Sequence, residues 1–260
     1  MVWYMLLGGF AGTVAGLLGV GGGLIIVPVL AVLFARTGIA PDVLMHLAIG
    51  TSLATIVATS IASAYAHHRH GSVRWDTWLR LAPGIVLGAW LGAALADYLA
   101  GAALRRFFGV FELVVAAQMG LALRVAPHRR LPGSAGTALA GVVIGTVSAI
   151  VGIGGGTLTV PFLTWCNVSI RNAVATSAAV GLPIAVAGML GYLVAGWEEP
   201  ALPNGSLGYV YGPALGGIVV TSLLFAPLGA RLAHRLPTAV LKRVFALVLA
   251  ALGVYMLGSA

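Results

Sequence analysis

The chain has 260 residues, of which 60% are hydrophobic and 8% charged, with 14 basic against 6 acidic side chains and a formal net charge of +8. A soluble domain carries about 25% charged residues, so with a mean hydropathy of +1.05 most of this surface must meet lipid rather than water. The basic residues lie in short loops between apolar segments, where the positive-inside bias puts them, so the charge needs no nucleic-acid partner. The apolar runs are continuous rather than alternating, which excludes a β-barrel.

The N-terminal MVWYMLLGGF has no basic n-region and is read as structure, not as a cleaved leader. The first predicted element, 2–35, is uncharged and would be about 52 Å long as one helix at about 1.5 Å per residue. That is too long for one untilted crossing of a core about 30 Å thick. Near its middle stands GVGGGLIIVP, residues 19–28. Glycine lets a helix stop and the backbone turn, so the element is predicted as two helical pieces joined at Gly19–Gly23, an even number of crossings. Single helices follow at 43–66, 80–99 and 103–123, and then a polar linker at 126–133. The second half opens on another overlong element, 134–165, with GIGGGTLTVP at 152–161. Helices at 171–196, 208–233 and 237–258 complete it. The fold class is an all-α polytopic membrane protein with two four-element repeats, 1–125 and 134–260, each opening on a broken, Gly-rich helix.

The duplication is visible residue by residue. Gly19, Gly21, Gly22, Gly23, Val27 and Pro28 match Gly152, Gly154, Gly155, Gly156, Val160 and Pro161 at an offset of 133. Ala48, Thr51 and Ser52 match Ala173, Thr176 and Ser177 at an offset of 125. Gly92, Leu95, Ala96, Leu99 and Leu104 match Gly229, Leu232, Ala233, Leu236 and Leu241 at an offset of 137. With an even first element, each half crosses an odd number of times and the halves are inverted. Arg69, Arg74, Arg80, Arg124, Arg129, Arg130, Arg171, Arg231, Arg235, Lys242 and Arg243 then share one side, against Arg36, Arg105 and Arg106 on the other. That split of 11 to 3 obeys the positive-inside rule, whereas eight simple crossings give 8 to 6. Both termini are thus expected on the non-cytoplasmic side of a cell (inner) membrane.

Inverted repeats with a helix broken at matching positions are the signature of a secondary transporter. Unpaired backbone in a membrane is tolerated where it is buried in protein or lines a watery cavity. A helix starting after either glycine run points its free N–H groups and positive dipole end there, which suits an anion. Pro28 and Pro161 each deprive one carbonyl of its usual donor, giving a bend or a further polar group. The bland reading of the glycines is tight helix packing; the two copies in an inverted pair favour a substrate site at Gly19, Gly21, Gly22, Gly23, Gly152, Gly154, Gly155 and Gly156.

The G-[VI]-G-G-G-x-x-x-V-P pair, with Ala-x-x-Thr-Ser downstream in each half, resembles the TauE/SafE sulfite exporter family over essentially the whole chain. The resemblance implies export of sulfite or a small organosulfonate, by alternating access of one repeat against the other. Thr51, Ser52, Thr176 and Ser177 offer hydroxyls suited to sulfonate oxygens, or else bond back to their own helices. Five residues before the threonines stand His46 and Arg171. Arg171 suits an oxyanion or snorkels at the boundary, and His46 is read either as coupling proton movement to transport or as simply hydrogen-bonded where it lies. Glu112 is the acidic residue well inside an apolar span and a default functional candidate; its counterpart is Leu249. His46 and Glu112 are the candidates for coupling.

AHHRHGSVRW (66–75) reads as a solvated boundary, not a metal site, and GWEEPALPNGS (196–206) as an external cap. Trp165, Cys166 and Asn167 follow the second glycine helix and are placed to line a cavity. One cysteine, Cys166, excludes an intramolecular disulfide. No HExxH or GxSxG is present, so no enzyme, catalytic residue, metal or cofactor is implied. The expected partners are a small anionic substrate and the bilayer. An anion channel, a transporter of another small carboxylate or anion, and a homo-oligomer stay open.

Overall fold

The computed structural model describes residues 1–18, 22–121, 129–233 and 238–258. Their regular structure begins with α1 (Val2–Leu18), α2 (Gly23–Arg36), α3 (Pro41–Arg69), α4 (Trp75–Asp97) and α5 (Gly101–Gly120). It continues with α6 (Ser134–Val151), α7 (Gly156–Trp165), α8 (Ile170–Ala195), a hairpin of β1 (Ser206–Leu207) and β2 (Val210–Tyr211), α9 (Gly212–Ala233) and α10 (Thr238–Gly258). Among the described residues six helices, α3, α4, α6, α8, α9 and α10, contain stretches long and apolar enough to cross a membrane. Trp3, Phe10, Leu87, Leu139, Leu224 and Leu247 stand exposed on outer faces, as side chains solvated by lipid do. The protein is an all-α, multi-pass membrane protein.

Both overlong elements break where the glycines stand, and both double back. Tyr4 near the start of α1 packs edge-on against Phe34 near the end of α2, with ring centroids 6.4 Å apart. A Cβ at Gly22 would lie 3.7 Å from that of Ala11. In the second half the Arg129 N–H donates to Trp165 O at 3.2 Å, and Asn167 Nδ2 donates to Arg129 O at 3.1 Å. The entry to α6 thus lies beside the exit of α7. At about 1.5 Å per residue, α2 and α7 are about 21 and 15 Å long, too short for a core of about 30 Å. Each element doubles back on itself, so that its two ends lie close together.

Small residues set how the helices meet, as is common in membranes. α4 and α6 run parallel in backbone contact: a Cβ at Gly141 would lie 2.5 Å from Leu81 O, and one at Gly92 2.5 Å from Thr146 O. α1 and α9 pack the same way, with a Cβ at Gly12 falling 2.5 Å from Ser222 O. α3 and α8 run antiparallel, since Gly50, Leu53 and Ser60 meet Tyr192, Gly188 and Gly181 in reverse order. α5 crosses α10 where Gly109 meets Gly253 and Leu257. Pro183 inside α8 deprives Ala179 O of its helical donor, and the Trp78 indole of α4 takes that carbonyl at 3.1 Å.

Two predicted helix starts moved most. α4 starts at Trp75, not at 80, because Asp76 in its first turn complements the helix dipole and pairs with Arg74 at 3.0 Å. The helix predicted from 208 starts at Gly212, because Gly205 and Gly208 have φ of +90° and +50° and form a hairpin. Any Cβ at Gly208 would strike the Leu193 carbonyl, so the loop closes tightly on α8. Residues 126–128 of the expected linker lie outside the described residues.

Candidate functional site: two glycine turns and the loops over them

The two glycine turns meet at the centre of the protein. A Cβ on Gly23 would lie 2.5 Å from Gly152 O and 2.9 Å from Ile153 Cα, so only a residue without a side chain fits this crossing. Gly152 ends α6 in the left-handed conformation, φ +77°, and the N–H groups of Gly152 and Ile153 both donate to Ser148 O, at 2.8 and 3.0 Å. Ser52 of α3 donates to Gly152 O at 2.8 Å and ties the turn to the neighbouring helix. Gly155 sits so close to α8 that a Cβ would lie 2.6 Å from Ser177 O. Gly154 has room, since a Cβ there would meet Ile56 Cγ2 at 3.5 Å, an ordinary van der Waals contact. Gly22 precedes α2, and its carbonyl accepts from the N–H groups of Ile25 and Ile26 at 3.0 and 2.9 Å. Gly22, Gly23, Gly152, Gly154 and Gly155 are all buried, and Gly156 opens α7. Gly19 and Gly21 lie outside the described residues.

The second turn is the polar one. Thr159 donates its N–H to Gly155 O at 2.9 Å, so the amides of Gly156, Thr157 and Leu158 before it lack an intrahelical acceptor and carry the positive end of the α7 dipole. Around this turn the hydroxyls of Ser148, Thr157 and Thr159 are buried and have no hydrogen-bond partner among the described residues. Elsewhere the helical hydroxyls of Thr13, Thr55, Thr146, Thr164, Ser177 and Thr221 bond back to carbonyls three or four residues earlier. Thr157 and Thr159 lean toward the N-terminus of α7, as every helical Cα–Cβ bond does. Sequence reasoning missed these three residues. The signal was GGGTLTVP against GGGLIIVP: where α7 has Thr157 and Thr159, α2 has Leu24 and Ile26, both buried.

The predicted Thr-Ser pairs split in their roles. Ser52 reaches the glycine turn, whereas Ser177 bonds back to Val174 O at 2.8 Å. The threonines hold loops. Thr51 accepts the Tyr211 N–H at 2.9 Å, and Thr176 accepts the Arg74 N–H at 3.0 Å. Residues 74 and 211 differ by 137, the offset that relates the flanking helices, so these two bonds correspond. Each fastens the segment entering α9 or α4 over the helix that borders the glycine turns.

The residues five places earlier do likewise. Exposed Arg171 donates Nε to Ser72 Oγ at 3.2 Å, so it grips the α3–α4 loop and is not brought to the glycine crossing. Buried His46 stacks on Tyr209 with ring centroids 5.0 Å apart. Its Nδ1 lies 3.0 Å from Asp42 O and its Nε2 3.0 Å from Ala96 O. The Tyr209 N–H donates to Tyr192 O at 3.1 Å, and its hydroxyl donates to Asp97 Oδ1 at 3.4 Å. Burial above all, with Asp97 and Glu199 adding to it, pushes the Tyr209 phenol up to about 12, so it remains a donor at any physiological pH. The acidic segment 196–206 leads directly into this loop.

Glu112 on α5 is fully buried, and neither carboxyl oxygen has a hydrogen-bond partner among the described residues. It stands three residues after Gly109, on the face that meets α10. Cys166 is buried and free, and Trp165 lies under the Arg129 guanidinium at 5.4 Å. Trp165 and Asn167 thus pin the entry to α6 at the end of the hairpin away from the glycine turn. His68 receives the Trp75 indole N–H at 3.2 Å. Among the described residues no group of three or more His, Cys, Asp or Glu side chains is placed to hold a metal ion.

Comparison with known proteins matches residues 4–256 to the family described as sulfite exporter TauE/SafE. The chain is 38% identical to a probable membrane transporter protein of Haemophilus influenzae, covering 97% of this chain and 96% of that one. It is 26% identical to a probable membrane transporter protein of Methanocaldococcus jannaschii, over 97% and 94% of the two chains. A further relative, the probable membrane transporter protein YdhB of Bacillus subtilis, is 26% identical over 95% and 96%. No solved structure matches the chain.

Proposed function

The chain belongs to the sulfite exporter TauE/SafE family and is a membrane transporter, and from that premise we propose that it exports sulfite or a small organosulfonate across the cytoplasmic membrane by alternating access. The observation that carries the substrate class is the set of buried donors at the second glycine turn: the first-turn amides of α7 and the hydroxyls of Ser148, Thr157 and Thr159, which have no hydrogen-bond partner among the described residues. Those groups suit a small oxyanion, because a buried polar group is costly until something accepts its hydrogen bond. The matching first turn is apolar, so the anion sits on the α7 side of the crossing and not symmetrically between the halves.

Two inverted repeats, 1–125 and 134–260, account for the packing. Corresponding helices α3 and α8 run antiparallel, as halves of opposite orientation require, and α1 on α9 exchanges with α6 on α4. The loops held by Thr51 and Thr176 lie on opposite sides of the crossing and serve as its two gates. The basic loops are cytoplasmic and the termini non-cytoplasmic in this reading.

The test is uptake of radiolabelled sulfite into proteoliposomes, with sulfate and a small sulfonate as competitors. Saturable uptake is expected, weakened in Thr157→Val and in Gly154→Ala, the glycine with room for a methyl group. Flux that does not saturate would make the protein a channel, and uptake equal to that of empty liposomes for every anion would refute the substrate class.

A further inference from the structure

We infer that the second glycine turn accepts singly charged oxyanions, hydrogensulfite and the sulfonate group, and turns away the doubly charged sulfite and sulfate ions. The inference rests on the proposed placing of the anion at this turn; what it adds is the charge that the site accepts.

The turn offers donors without a cation among the described residues. Its donors are the first-turn amides of α7 and the hydroxyls of Ser148, Thr157 and Thr159, all of them neutral. The hydroxyls are buried and have no hydrogen-bond partner among the described residues. The side chains nearest Gly152, Gly154 and Gly155 belong to Val27 of α2, Ile49 and Ile56 of α3 and Val180 of α8, and Ser52 bonds the Gly152 carbonyl. None of these ionises. Among the described residues no Lys or Arg side chain is buried: Arg105 is half-buried and the others stand exposed. Arg171 is held by Ser72, and Arg129 lies over Trp165 at the far end of α7. Buried His46 bonds Ala96 O at the end of α4, and buried Glu112 is on α5. The positive charge left at the turn is that of the α7 dipole, equivalent to about half an elementary charge.

That half charge decides between one negative charge and two. Attraction to fixed donors and to a dipole grows in proportion to the charge of the ligand, whereas the cost of taking an ion out of water grows as its square. Against the dipole, a monoanion leaves about half a negative charge unbalanced and a dianion about one and a half. The hydroxyls add a second criterion. Backbone amides and guanidinium groups only donate, whereas Ser and Thr hydroxyls both donate and accept. Ser148, Thr157 and Thr159 can therefore accept the O–H of hydrogensulfite and equally donate to the oxygens of a sulfonate. The proton then crosses on the ligand and needs no carrier side chain at the turn.

The test is calorimetric titration of the purified full chain in lipid nanodiscs, at constant ionic strength, with methanesulfonate, sulfate and sulfite. Across the neutral and mildly alkaline range methanesulfonate stays a monoanion and sulfate a dianion, while sulfite passes from mostly singly to mostly doubly charged. Methanesulfonate is expected to bind with an affinity that does not change with pH. Sulfate should bind at least about a hundredfold more weakly. The affinity for total sulfite should fall with rising pH, approaching about tenfold per pH unit at the alkaline end. Thr157→Val and Thr159→Val should each weaken methanesulfonate binding about tenfold or more, and the comparison of anions on the wild type stands whether or not either variant folds. Sulfate binding within about tenfold of methanesulfonate, or a sulfite affinity independent of pH, overturns the inference and leaves an oxyanion transporter standing. Methanesulfonate binding unchanged in both valine variants puts the anion elsewhere and also overturns it. If none of the anions binds and the proteoliposomes show no uptake, the inference and the proposed substrate class fall together.

Discussion

Ser52 and Ser177 occupy corresponding positions in the two halves and both have buried hydroxyls, yet their deletion should differ in cost. Ser52 Oγ donates across to Gly152 O at 2.8 Å, holding the turn between α6 and α7 to α3. Ser177 Oγ donates at 2.8 Å to Val174 O of its own helix, a carbonyl that also has a helical N–H donor. Ser52→Ala removes a bond with a net worth of about 0.5–1.5 kcal/mol and leaves a buried carbonyl, a penalty of about 1–3 kcal/mol when nothing replaces the donor. Interhelical bonds measured in bilayers average about 0.6 and reach about 1.7 kcal/mol, which draws the expectation down to about 1–2 kcal/mol. Ser177→Ala should cost less than about 0.5 kcal/mol, because Val174 O keeps its backbone partner. Reversible unfolding in mixed detergent micelles reads both, and a gap of about 1.4 kcal/mol is about tenfold in the folding equilibrium. Equal losses for the two alanine variants, or a larger loss for Ser177→Ala, would refute the assignment of Ser52 as the tie that positions the turn.

Two further outcomes follow from buried polar groups elsewhere. Trp78→Phe should destabilise by about 1–2 kcal/mol, because Pro183 leaves Ala179 O dependent on the indole donor. Pro183→Ala returns a helical N–H to that carbonyl and should shrink the loss, so an unchanged Trp78→Phe effect in the Pro183→Ala background would disprove the coupling. Glu112→Leu, which installs the residue found at the corresponding position 249, should unfold no more easily than the wild type, since Glu112 has no partner among the described residues and replacing such a buried polar group by an apolar one of similar shape is about neutral or favourable. A drop of more than about 1 kcal/mol in the same micelle assay would show that the carboxyl has partners it needs.

Most of the architecture was legible in the sequence, for local reasons. Charge-free runs set the spans, and the excess length of 2–35 and 134–165 over a bilayer, with glycines mid-run, required a break in each. The charge split favoured an even number of crossings for those elements, and each doubles back on itself. Composition could not separate the roles of residues sharing a motif. Thr51 and Ser52 are adjacent on α3, yet one fastens a loop and the other reaches a glycine turn, because successive helical residues point about 100° apart and meet different neighbours. Arg171 looked suited to an anion by type, but its position at the start of α8 hands it to Ser72. Conversely, Thr157 and Thr159 stand in an apolar string with no local pattern to mark them, and only their burial without an acceptor among the described residues sets them apart. The sequence by itself determined which segments are apolar and where the overlong ones must break, since hydropathy and helix length are properties of single segments. Only the tertiary structure decided which hydroxyls hold the fold and which have no hydrogen-bond partner among the described residues, because hydrogen-bond satisfaction depends on groups a hundred or more residues away.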